Sequence, residues 1–148
     1  MRNVVIDSGP LLALFDRDDA HHARVRKVLK ENADLVLCTT WPVLTETSAL
    51  LASRVGKETE IEFLEWVIAG GVTVEPLDNP DLERMAGLVR KYRDLPFDFA
   101  DASVAALAAR LGVEQIMSVD SDFDVYRPAK GKTLRNLLSM QGGRRSTR

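Results

Sequence analysis

The stretch Val4-Val5-Ile6-Asp7-Ser8-Gly9-Pro10 decides the fold. A β-branched run ends there in an acid and passes at once into turn residues and a helix start, as in a strand that delivers its last residue to the carboxyl edge of a sheet. Apolar runs and longer helical patterns then alternate, which is typical of βα units around a parallel sheet. We predict strands over residues 3–6, 35–39, 72–74 and 115–119, with an edge strand over 132–138. The predicted helices start near residue 10 and cover 18–32, 42–55, 57–69, 80–92 (N-cap Asn79) and 98–111.

Length and charge predict a single globular domain. The chain has 148 residues, 45% apolar and 28% charged, and its net charge of −2 gives no general attraction to a polyanion. Residues 1–126 carry a net charge of −9, whereas residues 127–148 carry seven bases and no acid. We expect a domain over residues 1–141 and a flexible basic tail over 142–148. Contacts of Lys130, Lys132 and Arg135 with nucleic-acid phosphates are the alternative to a merely solvated terminus.

Nothing in the sequence indicates an oxidising compartment or a membrane. The single cysteine, Cys38, excludes an internal disulfide and is expected to be a small apolar side chain in a strand. The longest charge-free apolar stretch, around residues 102–109, is far shorter than the ~20 residues that span a bilayer. Asp7 interrupts any signal sequence. We expect a soluble, cytoplasmic protein.

Four acids are predicted to meet at one edge of the sheet. Asp7 and Asp120 each end a predicted strand, and Glu46 and Asp101 lie in the first turns of helices that start at the same edge. Carboxylates brought this close repel one another unless a cation lies between them. Oxygen ligands without nearby His or Cys favour Mg²⁺ or Mn²⁺ over zinc.

Asp98 and Asp101 also have plainer, structural interpretations. Asp98 is expected to be the N-cap of its helix rather than a ligand, and Asp101 at the third helical position complements the helix dipole in any case. Asp122 is an alternative fourth ligand. His21 and His22 are helix neighbours that point about 100° apart, so they do not form a histidine-based nuclease site.

The motifs resemble the PIN domain, most closely the VapC-type toxins of bacterial and archaeal toxin–antitoxin pairs. The matching residues are Val4-Val5-Ile6-Asp7-Ser8-Gly9, Thr45-Glu46, Phe99-Ala100-Asp101-Ala102 and Ser118-Val119-Asp120-Ser121-Asp122-Phe123. The resemblance covers residues 3–138 and implies a three-layer α/β/α fold with a four- to five-stranded parallel sheet. It also implies an endoribonuclease in which Asp7, Glu46, Asp101 and Asp120 hold Mg²⁺ or Mn²⁺, with Ser8 and Ser118 in support. A homodimer and a cognate antitoxin are further expectations.

Two other functions compete with this one. A catalytically weak PIN-like module would act mainly through antitoxin or protein binding. A phosphotransfer enzyme or receiver domain also places Asp at strand ends, but Gly9 and the residues after Asp120 do not fit those patterns. Trp41, Phe63 and Trp66 are expected in the core or a helical hairpin, although a dimer interface uses the same side chains. The sequence does not indicate which RNA is cut.

Overall fold

The computed structural model describes residues 1–119, 123, 126 and 134–139. Asp120, Asp122, Lys130, Lys132 and the basic tail lie outside these residues. In chain order the elements are β1 (Arg2–Ile6), α1 (Ser8–Phe15), α2 (His22–Glu31), β2 (Leu35–Thr40), α3 (Trp41–Arg54), α4 (Lys57–Ile68), β3 (Thr73–Glu75), α5 (Asn79–Lys91), α6 (Phe99–Leu111), β4 (Gln115–Met117) and β5 (Arg135–Asn136).

The described part of the chain forms a five-stranded parallel sheet in the order β3-β2-β1-β4-β5. β1 is central, and its Val4, Val5 and Ile6 are fully buried. The predicted α/β fold with a parallel sheet is confirmed. Of the edge strand predicted over 132–138, the structure has β5 over Arg135–Asn136, and residues 137–139 are helical. The order of strands reverses direction between β1 and β4, and such a switch point is where ligands bind in open α/β sheets.

Local hydrogen bonds move some helix starts away from their predicted positions. Helix α1 begins at Ser8 rather than near Pro10, with Asp7 as its N-cap. Helix α2 begins at His22 rather than near residue 18. The carboxylates of Asp16 and Asp19 accept hydrogen bonds from backbone N–H groups two residues on, at 3.0 and 2.8 Å. Such Asx turns compete with helix formation and delay its start.

The predicted N-cap of α5 was wrong by one residue. Asp78 caps the helix, because its carboxylate accepts the backbone N–H of Asp81 while the Asp81 carboxylate accepts that of Asp78, both at 3.1 Å. Asn79 is therefore the first helical residue. Asp81 also pairs with Arg110 of α6 at 3.1 Å. Burial raises the pKa of Asp81, but the hydrogen bonds at Asp78 and the Arg110 charge outweigh burial and hold that pKa below its ordinary value.

An aromatic cluster joins α4 to α1. Phe63 is fully buried, and the Phe15 ring lies 5.4 Å from the Phe63 ring and 5.2 Å from that of Trp66. A Cβ on Gly71 would fall 2.0 Å from the Trp66 ring, so only glycine allows this packing. The core prediction is confirmed for Phe63 and Trp66. It is wrong for Trp41, which is 56% exposed at the start of α3.

Cys38 is buried in β2, and burial raises the pKa of its thiol, as expected of an unreactive apolar side chain. Within the described residues, every helix is too short or too polar to cross a bilayer.

Candidate active site

The carboxyl ends of β1 and β4 lie side by side and fix Asp7. The backbone N–H of Asp7 donates to the carbonyl of Met117 at 2.9 Å, which continues the pairing of the two strands. The Asp7 carboxylate accepts the Ser8 backbone N–H at 2.8 Å and the Ser118 hydroxyl at 3.3 Å. Only 2% of Asp7 is exposed. The first acid is thus held rigidly, and Ser118 makes the supporting contact that the resemblance implies.

Glu46 is tied to the same edge through Ser8. The Ser8 hydroxyl donates to Glu46 Oε1 at 2.5 Å, which joins the start of α1 to the second turn of α3. Helix α3 follows β2 without a loop because Thr40 ends the strand and caps the helix, accepting the Val43 backbone N–H at 3.3 Å. This direct entry places Glu46 near the sheet edge.

Asp101 reaches the edge from α6. The Asp98 carboxylate accepts the Asp101 backbone N–H at 2.9 Å, and the Asp101 carboxylate accepts that of Asp98 at 3.1 Å. The prediction that Asp98 is an N-cap is confirmed. Asp101 is 5% exposed, and the hydroxyl of Ser103 lies 2.7 Å from that of Thr40, which links α6 to the start of α3. The starts of three helices are therefore held together.

These elements enclose a pocket of about 450 Å³. Its lining residues are Ser8, Gly9, Leu12, Asp19, Glu46, Leu50, Arg54, Pro96, Asp98, Asp101 and Val119. The structure thus brings Glu46 and Asp101 to one pocket, next to the residue that follows Asp7. Asp120 and the alternative ligand Asp122 lie outside the described residues. Over the described ranges, no three Asp, Glu, His or Cys side chains are grouped closely enough to hold an ion by themselves.

Three residues near this edge were not anticipated. Asp19 enters the pocket from the loop before α2, and no pattern in the sequence indicated it. Arg54 lies eight residues after Glu46 on the same face of α3, a helical spacing that predicts the shared position. Asn136 is buried, accepts the Ser118 backbone N–H at 3.2 Å and donates to the Ser118 carbonyl at 2.8 Å. A lone Asn in an apolar run was the available signal.

Gly9 is required by close packing rather than by backbone conformation. A Cβ at this position would lie 2.3 Å from Cγ2 of Val119. Because carbon atoms in contact are normally about 3.5–4.0 Å apart, only glycine allows α1 to start this close to the segment after β4. Gly9 therefore keeps Val119, the residue before Asp120, against the pocket.

The two histidines and Arg135 do not line this pocket. His22 Nδ1 is 2.7 Å from the carbonyl of Ala13, and His21 Nδ1 is 2.9 Å from the Arg24 guanidinium, so both histidines have structural contacts. Arg135 pairs with Gln115, the first residue of β4, at the amino edge of the sheet. The expectation that Arg135 contacts phosphates around the acids is corrected by this placement.

Comparison with known proteins agrees with this geometry. A family model described as the PIN domain matches residues 4–127. The chain belongs to the PIN-domain family. This PIN domain is 31% identical over 129 residues to Ribonuclease VapC26 of Mycobacterium tuberculosis, with 86% of the chain and 95% of that relative covered. It belongs with the VapC ribonucleases, as its motifs indicated.

Solved structures show the same fold. The PIN domain matches Mycobacterium tuberculosis VapC20, described as a sarcin-ricin loop cleaving toxin, with a TM-score of 0.76 and 22% identity over 85% of this chain and 98% of that one. It matches VapBC2 of Rickettsia felis bound to promoter DNA with a TM-score of 0.60 and 11% identity, covering 82% and 91% of the two chains. It matches FitAcB of Neisseria gonorrhoeae with a TM-score of 0.55 and 18% identity, covering 80% and 88%.

Proposed function

We propose that this protein is an Mg²⁺- or Mn²⁺-dependent endoribonuclease toxin that hydrolyses RNA phosphodiester bonds at the pocket between α1, α3 and α6. The single observation that carries the proposal is the chain of contacts Ser118–Asp7–Ser8–Glu46 at the switch point of the sheet, beside the pocket that Glu46 shares with Asp101. The proposed catalytic set is Asp7, Glu46, Asp101 and Asp120.

The donor chemistry fits a hard divalent cation. Asp7 and Asp101 supply carboxylate oxygens on rigid helix starts. Mg²⁺ usually binds one or two carboxylates and keeps several waters, so it needs no cage of three protein ligands. In the proposal Asp7, Asp101 and Asp120 hold the ion. When bound, it would supply Lewis-acid activation of a water and neutralise charge on the phosphodiester.

The chain's own groups account for orientation and proton transfer. Glu46 is half-buried, and its Oε1 accepts the Ser8 hydroxyl, which fixes the carboxylate toward the pocket. In the proposal Glu46 orients a water for in-line attack on phosphorus and accepts the water's proton, with Asp120 as the alternative group for this role. The new P–O bond forms as the bond from phosphorus to the 3′-oxygen breaks, and the leaving 3′-oxygen takes up a proton from solvent. The products are a 5′-phosphate and a 3′-hydroxyl.

Arg54 supplies a positive charge to an otherwise acidic lining. Its exposed guanidinium lies on the same helix face as Glu46, and the two residues line one pocket. A planar guanidinium with several donors suits a phosphate oxygen. We assign Arg54 the contact with a substrate phosphate, a role for which the sequence analysis considered the basic residues near the C-terminus as one alternative.

We propose the protein's partner and cellular location by analogy with its relatives. The matched structures from Rickettsia felis and Neisseria gonorrhoeae bear the names of two-component VapBC and Fit assemblies. By analogy, a cognate antitoxin would neutralise this toxin, and a cytoplasmic location would follow from an RNA substrate. The homodimer remains a prediction.

The test compares RNA cleavage by the wild-type protein, Asp7→Asn, Glu46→Gln and the control Glu83→Gln, which alters an exposed acid on α5. We expect cleavage to need Mg²⁺ or Mn²⁺, to stop in EDTA and to be lost in the first two variants only. Mapped ends should carry 5′-phosphates. Cyclic phosphates, or full activity in EDTA, would exclude the mechanism. No turnover by a folded wild-type protein would favour the binding-module alternative.

A second measurement is independent of activity. Saturating Mn²⁺ at about 100 times its Kd stabilises the folded state by about 2.7 kcal/mol. For a chain of this length the melting temperature should rise by about 5–10 °C. Asp7→Asn should melt near the wild-type temperature without metal but show little of the rise. An equal rise in both proteins would remove Asp7 from the site.

A further inference from the structure

A second groove adjoins the acidic pocket and has a different chemistry. It measures about 590 Å³ and is lined by Trp41, Pro42, Thr45, Glu46, Asp98, Phe99 and Ala100. Glu46 and Asp98 line both spaces, so the groove continues from the pocket. Its volume lies within the range of small-ligand sites.

Two aromatic rings are exposed in this groove. Trp41 is 56% exposed and Phe99 is 51% exposed, and each is the first residue of its helix, α3 and α6 respectively. Single exposed apolar residues are ordinary, but two large rings facing one groove beside an acidic site are not scattered surface residues. Leaving them in water forgoes a few kcal/mol of burial.

The electrostatics of the pocket limit what this groove can bind. Asp19, Glu46, Asp98 and Asp101 line the pocket with Arg54, so without a bound cation their net negative charge opposes the approach of a sugar–phosphate backbone. Nucleobases are uncharged, and each presents a π face that stacks on an aromatic side chain regardless of sequence. Stacking therefore gives a substrate affinity that does not depend on positive charge.

We propose that Trp41 and Phe99 form a base-stacking platform that holds a nucleotide next to the scissile phosphate of a single-stranded RNA. This inference rests on the proposed ribonuclease function and assigns the residues that bind an unpaired base of the substrate, because a base within a duplex is not available to stack. The platform contributes to substrate binding, whereas the acids perform the chemistry.

The test uses substitutions that keep apolar bulk but remove the ring. Trp41→Leu and Phe99→Leu should each raise KM for a short single-stranded RNA about tenfold with little change in kcat. The matched control is Leu82→Ala, which alters a residue 49% exposed on α5, away from both spaces, and should leave KM unchanged. Wild-type KM values in both Leu variants, with the wild type active, overturn the platform and leave the ribonuclease function standing.

Fluorescence provides a readout that needs no turnover. Trp66→Phe leaves Trp41 as the sole tryptophan of the chain. In EDTA, the RNA should quench Trp41 emission with saturation, whereas an abasic oligonucleotide of equal length should not. Equal quenching by both, or by neither, overturns base stacking. If Trp41→Leu instead dissociates a dimer in light scattering and RNA causes no quenching, a second copy of the chain covers the groove and the proposal fails. If the wild type cleaves no RNA, the ribonuclease function fails as well.

Discussion

Replacing Gly9 by alanine tests whether close packing holds the active-site edge together. The new Cβ would lie 2.3 Å from Val119 Cγ2, more than 1 Å inside a normal carbon contact of about 3.5–4.0 Å. Overpacking of this kind costs about 1–3 kcal/mol. For a chain of this size the melting temperature should fall by about 2–10 °C. Because Val119 directly precedes Asp120, relief of the clash displaces the segment after β4, and we expect RNA cleavage to fall by more than the loss of stability explains.

Two further variants make this test specific. Gly87→Ala is the matched control: Gly87 lies inside α5 with nothing within 4 Å of the added Cβ, so better helix propensity should stabilise the protein by up to about 1 kcal/mol. Val119→Ala removes both γ-methyl groups, including the colliding Cγ2, and should recover part of the melting temperature and cleavage that Gly9→Ala loses. Thermal melts and initial cleavage rates are to be measured on the wild type, Gly9→Ala, Gly87→Ala and the double variant Gly9→Ala/Val119→Ala. Wild-type behaviour of Gly9→Ala, or no rescue by Val119→Ala, would refute the packing argument.

Asn136→Leu removes an amide that makes hydrogen bonds to both backbone groups of Ser118 and to the Leu138 N–H, and each buried group left unsatisfied costs about 1–3 kcal/mol. Urea unfolding should show a loss of at least 2 kcal/mol, and an unchanged midpoint would contradict the role of Asn136 as a clamp. Asp81→Asn should destabilise the protein at neutral pH by about 1–2 kcal/mol, since it removes the charge that pairs with Arg110. The folded-state pKa of Asp81 is lowered, so its contribution is present above the unfolded pKa of about 3.9 and is lost as pH falls through the folded value. The two proteins should therefore converge in stability once the pH lies below the folded-state pKa of Asp81, and a difference that persists there would contradict the ion pair as its cause.

The sequence predicted the elements whose cause is local or periodic. Apolar periodicity identified the strands and most helices. Asp7 was placed at the carboxyl edge as the end of a strand, and the rule that crossover helices start at this edge placed Glu46 and Asp101 there. The N-cap role of Asp98 followed from the residue three positions later.

What the sequence could not predict depends on contacts between distant residues, or on neighbouring residues that suit the same role equally well. Asn136 is a clamp only because the parallel pairing of β4 and β5 brings it beside Ser118, 18 residues earlier in the chain. Asp78 and Asn79 are equally good N-caps by residue type, and Asp81 decides between them by completing a capping box with Asp78. The exposure of Trp41 follows from its place at the first residue of α3, which no hydropathy pattern reveals.

The arrangement of helix starts alters the reason why these acids tolerate one another. From charge alone, a cluster of carboxylates demands a cation. In the structure Asp7 accepts a backbone N–H at the start of α1 and Asp101 accepts one at the start of α6, so each meets the positive end of a helix. Part of the repulsion is therefore offset by the backbone before any ion binds. Asparagine caps helices as well as aspartate does but carries no charge, so Asp7→Asn at the N-cap of α1 separates folding from metal binding. A protein that requires the ion in order to fold would lose structure in this variant, whereas a site built on a helix cap keeps its structure and loses only its affinity for the cation.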